Sequence, residues 1–173
     1  MKQKILKKIS LLVFAFLMID GVMAQDAVVN IPAGYHGYLE QSQLFRLADG
    51  GKAMTGISTT HGVFIDSKTF VGIGFGIEGG NRFFAVPIFT AVRYNFSYKR
   101  PMTPTVQLRM GSYISGDLGI YTDLAVGLRR CSISGFGINV MLTGTYYSGE
   151  YYLINRNVKY NPSSIGIRVG FEW

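Results

Sequence analysis

The sequence predicts an all-β chain, an eight-stranded antiparallel up-and-down β-barrel that crosses a membrane. Three observations carry the prediction. Apolar residues recur at every second position in stretches of about ten. Turn residues punctuate those stretches. Beyond the N-terminal segment no run approaches the roughly 18 apolar residues of a membrane helix.

The first 24 residues stand apart from this pattern. Lys2, Lys4, Lys7 and Lys8 precede an apolar run from Leu11 to Ile19, and Val22-Met23-Ala24 places compact residues before Gln25. That is the layout of a secretory signal cut after Ala24. The run is about half the roughly 20 residues of a spanning helix, and no Cys stands at the cut for lipid attachment. Residues 1–24 are therefore expected to be removed, 25–33 to form an N-terminal periplasmic lead, and 34–173 to form the barrel.

Export also changes the charge balance. Of 17 Lys and Arg, four leave with the signal, and of 10 acids, one leaves, so the mature 149 residues carry 13 against 9, a net +4. Most of the basic bias belongs to the signal, which argues against a nucleic-acid partner. Cys131 is the single cysteine; it cannot form an internal disulfide, and no metal-ligand spacing surrounds it.

Eight alternating stretches follow. Residues 34–47 and 56–65 hold the weaker two. In 69–78, Val71, Ile73, Phe75 and Ile77 alternate with Gly72, Gly74, Gly76 and Glu78. In 83–97, Phe84, Val86, Ile88, Val92, Tyr94 and Phe96 alternate with Ala85, Ala91, Arg93 and Asn95. In 103–115 the apolar set is Val106, Leu108, Met110 and Ile114; in 119–131 it is Ile120, Leu124, Val126 and Leu128. In 135–147, Phe136, Ile138, Val140, Leu142 and Tyr146 alternate with Asn139, Thr143 and Thr145. The last stretch, 163–173, is the clearest: Ile165, Ile167, Val169, Phe171 and Trp173 share one parity, and Gly166, Arg168, Gly170 and Glu172 the other. A strand sends these two sets to opposite faces. The two longest connections, 48–55 and 148–162, fall on one side if strands alternate in direction, as loops do in outer-membrane barrels.

Periodicity alone leaves open which face points inward. One face is bulky and apolar. The other mixes Gly, Ala, Thr and Tyr with Glu40, Arg46, Glu78, Arg93, Arg109, Asp123, Arg129, Arg168 and Glu172. Small residues suit the crowded interior of a narrow barrel, and aromatics gathered near strand ends suit a membrane–water boundary. The charged face is therefore expected to line a lumen. Its five Arg and four acids should pair with one another, with Glu40 and Arg168 the candidate pair across the seam between first and last strands.

The segments Gly34-Tyr35-His36-Gly37-Tyr38-Leu39-Glu40, Gly56-Ile57-Ser58-Thr59-Thr60-His61-Gly62 and Val86-Pro87-Ile88-Phe89-Thr90-Ala91-Val92-Arg93-Tyr94 resemble the small outer-membrane β-barrel domain family, the OmpA/OmpX-like and porin-like eight-stranded barrels. So does the ending Arg168-Val169-Gly170-Phe171-Glu172-Trp173. The resemblance implies fold and location more than activity. It also implies that Ile167, Val169, Phe171 and Trp173 act as the signal read by the barrel-assembly machinery, although Trp173 stands where most members end in Phe.

Catalysis finds little support. By parity His36 shares the inner face with Glu40 and Ser42, but His36 and Ser42 lie roughly 20 Å apart along one strand. His61 falls on the apolar parity unless a bulge near Gly62 turns it inward. The Gly-x-Gly repeat in 72–76 lacks the helix a phosphate cradle needs.

The sequence thus points to an outer-membrane protein of a Gram-negative bacterium with a structural or surface-interaction role. It is expected to be a monomer, with no cofactor and no catalytic or metal residues. Its surroundings would be outer-membrane lipid, with a surface protein or glycan as ligand. Tyr151, Tyr152, Arg156 and Lys159 on the long outer connection are the candidate contacts. A narrow pore or small-molecule carrier is the alternative, and a lipid-modifying enzyme is less favoured.

Overall fold

Alternation at period two becomes, in space, a wall with two unlike faces. The computed structural model describes residues 34–47, 52–80, 83–97, 100, 102–115, 117–132, 136–153, 156–160 and 163–173. The expected signal segment and periplasmic lead lie outside these residues. The strands are β1 (Tyr35–Arg46), β2 (Ala53–Phe64), β3 (Thr69–Gly80), β4 (Phe83–Asn95), β5 (Met102–Ser115), β6 (Asp117–Cys131), β7 (Gly137–Leu153), β8 (Arg156–Tyr160) and β9 (Ser163–Glu172).

Strands β1 to β7 each pair antiparallel with the next, β9 pairs with β7, and β9 returns to β1. The seam sets Tyr38 opposite Glu172 and Arg46 opposite Ser164. Eight strands therefore close an up-and-down barrel, which leaves no unpaired edge. Pro87 sits within β4, and the β3–β4 ladder skips the pairs nearest it, resuming at Glu78 and Ala85. A residue without an N–H cannot donate to that ladder.

The connection expected as a long loop over 148–162 is different. Strand β7 continues to Leu153 and folds back on β8, with Gly149 opposite Tyr160 and Leu153 opposite Arg156. Beyond the barrel rim β7 has lost β6 and β9 as neighbours, and the Tyr- and Val-containing segment satisfies its backbone by pairing with itself. The side chains of Tyr151, Tyr152, Arg156 and Lys159 lie outside the described set. Strand β2 also starts earlier than the predicted 56, because Met54 already takes an inward, buried position.

The predicted parities hold. On β3, Ile73 is 68 % exposed while Gly72 and Gly74 on either side are buried. Two apolar clusters occupy the interior: Tyr38, Phe64 and Phe70 near the end where β1 starts and β9 finishes, and Leu44, Met54, Ala85, Phe89, Ala91, Tyr113, Tyr121 and Tyr147 further up. The glycines make room for these rings. A Cβ at Gly74 would meet the Phe89 ring, and one at Gly72 the Phe70 ring.

Candidate functional site in the barrel lumen

All nine charged residues expected in the lumen are buried: Glu40, Arg46, Glu78, Arg93, Arg109, Asp123, Arg129, Arg168 and Glu172. Inward parity on six strands brings them together, and where an acid meets an arginine the pairing offsets the desolvation of both.

Three groups form. Nearest the start of β1 and the end of β9, Arg129 donates Nε and Nη2 to the two oxygens of Glu172, each at 2.6 Å. This fork geometry is the strongest arrangement for such a pair. His36 stands beside it, Nδ1 at 3.7 Å from Glu172 Oε1, with its ring edge-on to Phe64. In the middle, Glu40 accepts from Arg93 at 2.7 Å through one oxygen and from Arg109 through the other. Arg93 lies over the Tyr38 ring, 3.8 Å from its centroid, and Arg109 over Phe89 at 4.6 Å. A cation stacked on a ring keeps part of its stabilisation when water is withdrawn. Further round, Arg168 donates to Asp123 at 2.8 Å, and Thr145 and Thr143 donate hydroxyls to the same carboxylate.

Gln107 ties two of these groups together. Its Oε1 accepts from Arg93 at 3.1 Å and Arg168 at 3.4 Å. Glu78 stands apart and accepts the Tyr147 hydroxyl.

The expected Glu40–Arg168 pair is not formed. In the seam register Arg168 lies opposite Ser42, and Glu40 opposite Gly170, so the two sit two residues out of step. Arginine is also long enough to reach past a neighbouring strand or across a narrow lumen, so partners come from strands that are not adjacent. Glu40 on β1 meets Arg93 on β4 and Arg109 on β5; Arg168 on β9 meets Asp123 on β6. Gln107, Tyr38 and the lumenal threonines belong to the same network, and polar residues at inward parity were the available signal for them.

His36 meets Glu172 rather than Glu40 or Ser42, so the arrangement considered for catalysis is not assembled. His61 keeps its outward parity without a bulge and is satisfied there, Nδ1 by the Tyr35 hydroxyl and Nε2 by Thr59 at 2.9 Å. Cys131 is buried. Among the described residues no cluster of His, Cys, Asp or Glu could hold a metal. Ile167, Val169, Phe171 and Trp173 share the outward face of β9.

No family model and no curated protein matches the chain. Solved structures do. The crystal structure of Neisserial surface protein A aligns with a TM-score of 0.59 at 13 % identity, covering 82 % of this chain and 97 % of that one. The likeness is one of fold. The N-terminal β-barrel domain of Pseudomonas aeruginosa OprF aligns at 17 % identity over 82 % of this chain and 100 % of its own, TM-score 0.47. The KdgM porin aligns at 13 % identity over 81 % and 98 %, TM-score 0.33.

Proposed function

We propose that this chain is an integral outer-membrane β-barrel of a Gram-negative bacterium, with a structural or surface-interaction role and a plugged lumen. The observation that carries the reading is the inversion of the two faces. Ile57, Ile73, Leu124 and Leu142 are each more than half exposed on the outside, while the nine charges inside are almost wholly buried. Around a whole barrel in water, such an apolar belt greatly exceeds the few hundred Å² that soluble monomers expose. In a bilayer the same belt faces hydrocarbon, its ordinary solvent. The export signal and the fold shared with a Neisserial surface protein support this placement.

The plugged lumen follows from contacts that cross the barrel. Glu40 joins β1 to β4 and β5 on the far side of the ring, and Asp123 joins β6 to β9 over the intervening β7. Chains of paired side chains in a space just wide enough for them leave no continuous aqueous path. Ligand recognition then falls to the outer connections, above all the β7–β8 hairpin, where a surface protein or glycan would dock. The same reading makes the protein no enzyme. During biogenesis the assembly machinery would read Ile167, Val169, Phe171 and Trp173.

Fractionation of cells tests the placement. The protein should stay with outer membranes through a urea wash, shift mobility on heating before electrophoresis, and begin at Gln25 by mass. Recovery as a soluble periplasmic protein contradicts the reading.

A further inference from the structure

The outer wall is at its most polar over β1 and β2. Gln41, Gln43, Thr55, Thr59 and His61 all take the outward parity there. The neighbouring β3 presents Val71, Ile73, Phe75 and Ile77, and β9 presents Ile165, Ile167, Val169 and Phe171. Most of the polar groups are satisfied within the wall. Gln43 donates Nε2 to the Met54 carbonyl at 3.0 Å and accepts the Thr55 hydroxyl at 3.0 Å. His61 engages Tyr35 and Thr59.

Gln41 differs. It is exposed, with Ile57 opposite on β2 and Val169 opposite on β9. The hydroxyls of Thr55 and Thr59, its diagonal neighbours on β2, turn to Gln43 and His61. Its diagonal neighbours on β9, Ile167 and Phe171, are apolar. Among the described residues nothing hydrogen-bonds its amide. Six residues separate it from Tyr35 at the start of β1, which in a tilted strand is roughly 15 Å of height. That puts the amide near the middle of an apolar band about 25 Å tall, where lipid offers neither donor nor acceptor.

We propose that two copies of this chain meet through the β1–β2 face within the membrane, the Gln41 amide of each hydrogen-bonded to that of the other across a two-fold axis. The inference rests on the membrane placement argued above. A primary amide carries donors and an acceptor together, and at a two-fold axis a surface group meets its own counterpart. One Gln is therefore self-complementary, where a lone charged residue would repel its copy. Side-chain hydrogen bonds of this kind hold helices together in membranes.

Cross-linking of the full chain in native outer membranes tests it. Gln41→Cys, combined with Cys131→Ala to remove the buried thiol, should give a disulfide-linked species of twice the monomer mass on oxidation. Met110→Cys on β5, in the same background, should not. Gln41→Leu should weaken self-association of the refolded protein in micelles by roughly three- to thirtyfold, as read by sedimentation equilibrium. A heat-modifiable barrel that remains monomeric, an unchanged association for Gln41→Leu, or a Gln41→Cys adduct with a different protein would each overturn the pairing. In those cases the membrane placement stands. Absence of the unmutated chain from the membrane fraction would overturn both.

Discussion

Trp173 seats its indole on the bare Cα of Gly37. The two residues exchange backbone hydrogen bonds of 3.0 and 3.1 Å at the end of the β1–β9 seam, and a methyl group at Gly37 would overlap the ring. The last residue thus extends the closing ladder beyond β9, and the ring shields a stretch of seam that has no side chain of its own.

Gly37→Leu should therefore force the indole away and destabilise the folded barrel by about 1–3 kcal/mol, in the range of overpacking. Trp173 is the single tryptophan, so its emission reports both the displacement and the denaturant midpoint. Changing Phe171 and Trp173 together to Ser should lower the level of assembled barrel in cells. An unchanged midpoint for Gly37→Leu would show that the contact is incidental.

Glu40 holds two arginines, so its removal leaves both buried without a carboxylate partner. Glu40→Ala should destabilise the barrel by about 3–5 kcal/mol, far more than Lys52→Ala on the β1–β2 connection. Glu78→Gln should be milder, because Tyr147 can still donate to an amide oxygen. Urea unfolding in lipid vesicles compares the three. A double-mutant cycle should find strong coupling between Arg168 and Asp123 and weak coupling between Arg168 and Glu40.

The β2–β3 turn carries a pH-dependent element. Backbone amides of Lys68 and Thr69 donate to Asp66 Oδ1 at 2.6 and 2.8 Å, and these bonds hold its carboxyl below the usual aspartate range. A carboxyl depressed on folding contributes stability above its unfolded pKa and loses it as pH falls through the folded value. The protection of the Lys68 and Thr69 amides against exchange, taken relative to the unstructured-peptide rate at each pH, should fall on acidification, and Asp66→Ala should abolish that fall. Protection that does not change with pH in the unmutated protein would contradict the turn's dependence on a charged Asp66.

Topology can be read with trypsin on whole cells. Arg156 and Lys159 on β8 should be cut from outside, whereas Lys99 and Arg100, between β4 and β5 at the opposite end, should be cut only after permeabilisation. The reverse order would mean that the barrel is inserted the other way up.

These assignments show how much the chain disclosed in one dimension. The strands and their two faces were legible because period two is a local property: Ile73 between Gly72 and Gly74 already puts the two kinds of residue on opposite faces, and the small and charged set then marks the lumen side. Partners inside the lumen were not. The seam register is set by closure of the whole ring, and an arginine reaches across the barrel as readily as along its wall, so Glu40 found Arg93 and Arg109 instead of Arg168. His61 was puzzling at outward parity because its satisfaction comes from Tyr35 on a neighbouring strand. The β8 hairpin read as a loop because Asn and Pro near 155–162 punctuate it, and only the loss of barrel neighbours at the rim makes self-pairing the better use of its backbone.

Conductance of the refolded, heat-modifiable protein in a planar lipid bilayer tests the central claim most directly, that a membrane barrel is filled by its own paired charges. The account predicts insertion with no steady single-channel current. Large, stable channels from the unmutated protein would contradict it and favour a narrow pore or small-molecule carrier.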